Sequence, residues 1–135
     1  MIVLDASALV EIVADQRHGG WAAGQLDGHE VIAPAHQPAE VLSALARLER
    51  AGVLAAEAAL DAIAAVGALP QQIVPPSGAH LRAAFELRGR LRVLDGLYVA
   101  LAAERGVPLV TTDQRLARAT APCEVIAPPV DAWGD

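Results

Sequence analysis

The alternation of short apolar segments with longer segments of helical periodicity most constrains how this chain can fold. Five short segments are mostly apolar and contain β-branched residues: 1–4, 30–33, 72–74, 108–112 and 123–126. Between them, apolar residues recur every three or four positions, as Val41, Leu45 and Leu48 do. Parallel strands need helical crossovers, and the helices then cover the sheet. The pattern predicts an α/β fold with a parallel sheet covered on both faces.

The helix-length segments have recognisable ends. Periodicity predicts six helices, over residues 6–13, 38–51, 54–69, 77–89, 94–105 and 114–119. Ser77 is suited to an N-cap, and Gly52 and Gly106 are suited to helix ends. At 135 residues the chain has the size of one domain, expected to span residues 1–135. No apolar run is long enough to cross a bilayer and the first residues lack signal-peptide character, so we expect a cytoplasmic protein.

Charge restricts the chemistry. The net charge is −6, and all ten basic residues are arginine. Without lysine, the chain cannot use a Walker A phosphate loop or Schiff-base catalysis. Four of the arginines fall within eleven residues: Arg82, Arg88, Arg90 and Arg92. They form either a solvated helix face or a local patch that holds a phosphate-bearing substrate in spite of the negative net charge.

Four acidic residues are placed where they can meet. Asp5 and Asp113 follow the first and fourth predicted strands, and ligands of parallel sheets bind beyond the carboxyl ends of strands. Asp95 stands near the start of a helix, and Glu40 lies in the first turns of the helix after the second strand. The aspartates could each be helix caps. Convergence of all four on one edge accounts for them together as a single acidic site.

Such a cluster has a defined chemistry. Converging carboxylates repel one another, and the repulsion is relieved when a cation neutralises them. Oxygen ligands without His or Cys favour Mg²⁺ or Mn²⁺ over zinc or copper. A metal held there activates water and stabilises the charge that develops during in-line attack on phosphorus. Phosphodiester hydrolysis is the reaction expected.

Several sequence motifs resemble a known family. The opening IVLDASALV, the isolated acid in PAEVL and the segment VLDGLYVALAAERGVPLVTTDQRLA resemble a PIN domain, in particular the VapC-type toxins of bacterial toxin–antitoxin pairs. The resemblance extends over nearly the whole chain. It implies a three-layer α/β/α sandwich with a central parallel sheet, and an endoribonuclease that depends on Mg²⁺ or Mn²⁺.

The resemblance also assigns roles. It implies a catalytic quartet of Asp5, Glu40, Asp95 and Asp113, with Asp5, Asp95 and Asp113 as metal ligands. Further groups are implied around them: Ser7 and Thr112 to orient carboxylates or water, and Arg92 and Arg115 to contact the RNA. The implied partners are RNA, a cognate antitoxin and a second copy of the chain. Gly96 departs from the family pattern, where alanine is usual, and is expected to loosen the helix start.

Other functions remain open. The same fold could be a non-catalytic PIN-like module that binds RNA or protein, with its acids serving as caps. A DNA or flap nuclease shares the chemistry but needs duplex-binding elements for which this chain has little length. Phosphatases and receiver domains that use an aspartate after the first strand need a lysine. Outside the acids, we expect surface or loop positions for His18, His29, His36 and His80, and packing roles for Trp21 and Trp133.

Overall fold

Five short parallel strands form the centre of the computed structural model, which describes residues 1–129. The strands are β1 (Ile2–Leu4), β2 (Val31–Pro34), β3 (Gln72–Val74), β4 (Leu109–Val110) and β5 (Val125–Ile126). Their order across the sheet is β3-β2-β1-β4-β5, and every neighbouring pair is parallel. The sequence prediction of a parallel sheet is confirmed. Trp133 lies outside the described residues.

Seven helices within residues 1–129 surround the sheet. They are α1 (Ala6–Val13), α2 (Gly19–Leu26), α3 (Gln37–Arg50), α4 (Ala56–Ala68), α5 (Gly78–Glu86), α6 (Val93–Arg105) and α7 (Gln114–Arg118). No helix in this part of the chain has the length and apolarity needed to cross a membrane. Gly106 ends α6 in the left-handed conformation, with φ 64° and ψ 36°, as its sequence position indicated.

The strand order determines on which face each helix lies. From β1 through β2 to β3 the chain moves towards one edge of the sheet, whereas from β3 to β4 and β5 it moves towards the other. Parallel crossovers are right-handed, so α1–α4 lie on one face and α5–α7 on the opposite face. The buried core lies between these layers and includes Leu4, Leu9, Val41, Tyr98 and Leu109. The expected three-layer sandwich is confirmed.

Helix α2 is not predicted from the sequence. Its segment contains three glycines and gives only a weak periodic signal, so its helix propensity is low. It forms because it packs on α1: Ala22 is fully buried, and a Cβ at Gly19 would collide with the carbonyl oxygen of Glu11. Tertiary packing therefore overrides local preference in this segment. Trp21 packs against the core from α2, in agreement with its expected role.

The contact between α5 and α6 also depends on a glycine. A Cβ at Gly96 would lie 3.0 Å from Ala84 Cα and 3.1 Å from Ala84 Cβ. Gly96 therefore allows α6 to approach α5 closely, which is a different role from the loosening expected from its intrinsic propensity. The expectation for His80 is wrong, because His80 is buried in α5 and completes a capping box with Ser77 at the start of that helix. His18 lies in the turn before α2, a loop position as expected, although it is buried there.

Candidate active site

The site lies at the carboxyl edge of the sheet, where β1 and β4 are neighbours. Chain connections leave these two strands in opposite directions, and such a switch point opens a crevice beyond the strand ends. Asp5 follows β1 directly, and Asp113 lies three residues beyond β4. Helices α3 and α6 contribute Glu40 and Asp95 from their first turns. All four acids line one cavity of about 1040 Å³.

Asp5 is the most buried of the four acids, with 4% of its surface exposed. Its Oδ2 accepts hydrogen bonds from Ser7 Oγ at 2.6 Å and from Thr111 Oγ1 at 2.7 Å. Burial raises the pKa of Asp5 to about 6, and the nearby charges of Asp95 and Asp113 add to the effect, while the two hydroxyl groups oppose it. Without a cation, the ionised form of Asp5 therefore lowers the stability of the fold.

The hydroxyl groups next to Asp5 are those of Ser7 and Thr111. Thr112 was expected to orient a carboxylate or water, and the threonine side chain that reaches the carboxylate of Asp5 belongs to Thr111. Thr112 instead donates its backbone N–H to Ser7 Oγ at 3.1 Å. Because the chain leaves the β4 ladder at this point, strand alternation alone does not decide which threonine faces the site. Ser7 contacts Asp5 and Thr112, and its Oγ also lies 3.1 Å from Thr111 Oγ1.

Two acids are paired with arginines. Arg92 binds Asp95 through two hydrogen bonds, from Nε to Oδ2 at 2.9 Å and from Nη2 to Oδ1 at 3.1 Å. The hydrogen bond to Asp95 raises the pKa of the Arg92 guanidinium above its ordinary value, so Arg92 stays charged. Arg115 Nη2 lies 3.2 Å from Asp113 Oδ2, and the backbone N–H of Arg115 donates to Asp113 Oδ1, so Asp113 also caps α7. Both arginines expected to bind substrate therefore lie beside acids of the site.

Glu40 is held by side chains that the sequence did not indicate. Tyr98 donates its hydroxyl to Glu40 Oε1 at 2.7 Å, and His36 Nε2 lies 3.3 Å from the same oxygen. The rings of His36 and Tyr98 pack at a centroid distance of 4.7 Å. Tyr98 is fully buried, and burial raises its pKa above the ordinary range, so it remains a donor. In the sequence, Tyr98 follows Asp95 by three residues and so lies on the same face of the helix. That spacing is the signal that could have indicated its place at the site.

The arginine patch of the sequence prediction is only partly at the cavity. Of its four members, only Arg92 lines the cavity. Arg82 pairs with Glu86, Arg88 packs over the ring of Phe85, and Arg90 donates to the carbonyl of Thr120. Arg115, Ser7 and Thr112 do line the cavity, as do two further arginines that the sequence prediction did not include, Arg17 and Arg47.

The residues suit a hard divalent cation by donor type. The cavity offers four carboxylates, oxygen donors that Mg²⁺ and Mn²⁺ prefer. Within residues 1–129, however, no three acidic, histidine or cysteine side chains are arranged to hold a metal ion. The contacts explain this: Asp95 and Asp113 each bind an arginine, and Asp5 binds two hydroxyl groups. The donor set therefore fits such an ion, provided that the arginines move from the carboxylates.

Comparison with known proteins identifies the family to which the chain belongs. The family model described as PIN domain matches residues 2–122, so the chain belongs to the PIN domain family. Within it, the curated relatives are ribonucleases of the VapC group. Ribonuclease VapC3 of Mycobacterium tuberculosis is 45% identical over 121 residues, which cover 87% of this chain and 86% of the relative. Ribonuclease VapC12 of the same organism is 40% identical over 118 residues, covering 87% and 91%.

Solved structures agree with this fold. The crystal structure of PAE2754 from Pyrobaculum aerophilum aligns with a TM-score of 0.66 at 25% identity, covering 92% of this chain and 82% of that one. VapBC2 from Rickettsia felis, solved bound to a DNA fragment from its promoter, aligns with a TM-score of 0.68 at 15% identity, covering 94% and 98%. At the lower identity the likeness concerns the fold alone.

Proposed function

We propose that this chain is a metal-dependent endoribonuclease and the toxin of a toxin–antitoxin pair. The observation that carries the proposal is that Asp5, Glu40, Asp95 and Asp113 line one cavity at the switch point of the parallel sheet. The names of the relatives, ribonuclease VapC3 and ribonuclease VapC12, support RNA as the substrate. The oxygen-only donor set supports Mg²⁺ or Mn²⁺ as the cofactor.

Each acid has a role that follows from its surroundings. Asp5, Asp95 and Asp113 would hold the metal, which when bound supplies an activated water and positive charge at the scissile phosphate. Glu40 uses Oε1 for Tyr98 and His36, and its Oε2 forms no hydrogen bond or ion pair with residues 1–129. That oxygen is available to orient the attacking water and accept its proton. Ser7 and Thr111 fix the carboxylate of Asp5 from behind.

The two arginines at the site would exchange partners during the cycle. Arg92 and Arg115 neutralise Asp95 and Asp113 in the structure. If Asp95 and Asp113 held a metal, each guanidinium would be released and could turn to a phosphate oxygen, for which its planar fork of donors is well suited. Arg92 is 59% exposed and Arg115 is 70% exposed, so neither movement requires the core to open.

Protein partners belong to the same proposal. Solved neighbours of this fold include a toxin–antitoxin complex from Klebsiella pneumoniae, which supports an antitoxin for this chain. Two apolar surfaces are available to an antitoxin and a second copy. One is a groove between α3 and α4 that includes exposed Leu42 and Leu60; the other carries exposed Leu81 and Phe85 on α5. Light scattering of the purified chain will test for a homodimer. We expect the protein to act in the cytoplasm.

A non-catalytic binding module is the alternative function. The observation that favours it is the engagement of the acids within the chain, since Asp113 caps α7 and Asp95 is held by Arg92. Metal affinity separates the two functions, because acids that serve as caps would not bind Mn²⁺ together.

The test uses purified protein with a mixture of structured and single-stranded RNAs in Mg²⁺ or Mn²⁺. We expect discrete cleavage that disappears with EDTA and in the variant Asp95→Asn. Expression in a bacterial host should arrest growth with the wild-type chain and not with Asp95→Asn. Absence of both RNA cleavage and Mn²⁺ binding would reject the enzyme and favour the binding module.

A further inference from the structure

The cavity extends well beyond the four acids. From the sheet edge it continues between α1 and α3, where Val10, Ser43, Ala44, Arg47 and Leu48 line it together with Arg17. Its volume of about 1040 Å³ is at the upper end of the range of roughly 300–1,000 Å³ for pockets that enclose a drug-sized ligand. A site that handled one phosphate alone would need only the end that contains the acids.

One face of α3 connects the two ends of the cavity. Glu40, Ala44 and Arg47 recur at helical spacing and all line the same cavity. Glu40 and Arg47 are seven residues apart, which is about 10 Å along a helix axis. The guanidinium of Arg47 reaches back to Ser43, part of the way towards Glu40, and forms no hydrogen bond or ion pair with any of the four acids. It is near enough to contact a neighbouring phosphate of the same strand.

Arg47 differs from the arginines beside the acids. Its Nη1 donates to Ser43 Oγ at 3.0 Å, and no carboxylate among residues 1–129 forms an ion pair with it. Glu11 also lines this arm of the cavity, but its Oε1 accepts from the backbone N–H of His18. The guanidinium of Arg47 therefore keeps most of its donors for a ligand.

We propose that the arm of the cavity between α1 and α3 is a subsite for single-stranded RNA, in which Arg47 binds the phosphate of a nucleotide that flanks the cleaved bond. The inference rests on the proposed ribonuclease function and assigns it a binding residue outside the acids. The apolar side chains of Val10, Ala44 and Leu48 give the arm a surface for sugar and base, while Arg47 supplies the charge. This local contact matters because the chain as a whole has a net charge of −6, which repels RNA.

The experiment compares Arg47→Ala with Arg50→Ala. Arg50 is on the same helix and has the same charge, but it lines the groove between α3 and α4 and not the cavity. Binding of a fluorescent single-stranded RNA is measured by anisotropy in an Asp95→Asn background, which blocks cleavage, over a series of salt concentrations. Cleavage kinetics are measured in the otherwise wild-type chain.

We expect Arg47→Ala to weaken RNA binding about threefold to fivefold, the ratio for an exposed charge contact. The slope of log affinity against log salt should fall by about 0.7, the value for one phosphate contact to a single strand. KM should rise with kcat unchanged, because Arg47 contacts none of the four acids and serves to bind the strand. Arg50→Ala should leave all these quantities unchanged.

Two results would overturn the subsite, and they are distinguishable. If the wild type cleaves RNA and Arg47→Ala matches Arg50→Ala in affinity and salt slope, the subsite is wrong and the ribonuclease stands. If the wild type neither cleaves RNA nor binds it with Mn²⁺ present, the ribonuclease itself fails, and the subsite fails with it.

Discussion

Hydroxyl groups fix two of the four acids at the level of single residues. Ser7 and Thr111 donate to one oxygen of Asp5, and Tyr98 donates to one oxygen of Glu40. Hydrogen bonds to a charged acceptor are stronger than those between neutral groups, and they hold the acceptor in one orientation. In each acid the second oxygen forms no hydrogen bond with residues 1–129, as its proposed role in holding metal or water requires.

Removing the Tyr98 hydroxyl tests this arrangement. We expect Tyr98→Phe to lower kcat about threefold to tenfold with little change in KM, because Glu40 loses the donor that orients it. The measurement is steady-state cleavage of RNA, accompanied by thermal denaturation to show that the buried ring still packs. In a Glu40→Gln background the same substitution should cause no further loss. An additional loss there would assign Tyr98 a role independent of Glu40.

The raised pKa of Asp5 predicts how stability depends on pH without metal. Its pKa is about 6 in the fold and 3.8 ordinarily, so between these values the folded chain binds more protons than the unfolded chain. The free energy of unfolding should therefore fall as pH rises from about 4 to about 6 and stay lowered above that, by at most about 3 kcal/mol. Asp5→Asn should remove this dependence.

Urea denaturation in EDTA at pH 4 and pH 7 measures this pH dependence of the free energy of unfolding. The stability of Asp5→Asn relative to wild type should be greater at pH 7 than at pH 4. The substitution also weakens the hydrogen bonds from Ser7 and Thr111, but that loss is the same at both pH values and cancels in the comparison. Equal differences at the two pH values would show that the carboxylate is not destabilised by its surroundings.

Close packing of α5 on α6 is the main constraint at the level of elements. Gly96→Ala should destabilise the chain by about 1–3 kcal/mol, because the new methyl group meets the backbone of Ala84, which cannot move without displacing α5. Gly67→Ala is the matched control, since Gly67 lies in α4 with no atom near its missing Cβ. That change should stabilise by up to about 1 kcal/mol. Equal effects of the two substitutions on the urea midpoint would contradict the packing argument.

Sequence periodicity predicts elements well where burial and local preference agree. All five strands and six helices follow from apolar spacing, because their faces pack on one core. Helix α2 does not, since its stability comes from contact with α1 and not from its glycine-containing sequence. The same division holds at the site. The four acids are placed at one edge by the order of strands, whereas the choice of Thr111 over Thr112 and the contact of Tyr98 with Glu40 depend on tertiary geometry.

At the level of the whole molecule, metal binding should appear as stability. A ligand that binds only the folded chain adds about 2.7 kcal/mol at a concentration of 100 Kd. For a domain of this size that corresponds to a rise in Tm of about 10 °C. We expect Mn²⁺ to raise the Tm of the wild type in this way, and Asp95→Asn to lose most of the rise. The rise should be greater for Arg92→Ala, because Arg92 no longer competes for Asp95. No rise in the wild type would reject the metal site.

The adjacency of β1 and β4 determines when the site can exist during synthesis of the chain. Asp5 and Ser7 are translated at the start, but their contacts Thr111 and Thr112 follow more than a hundred residues later. A nascent chain that has reached Arg105 contains three of the four acids and lacks the strand that completes their edge of the sheet. Each new copy therefore has no complete site until translation has passed Asp113 and the last strands have joined the sheet.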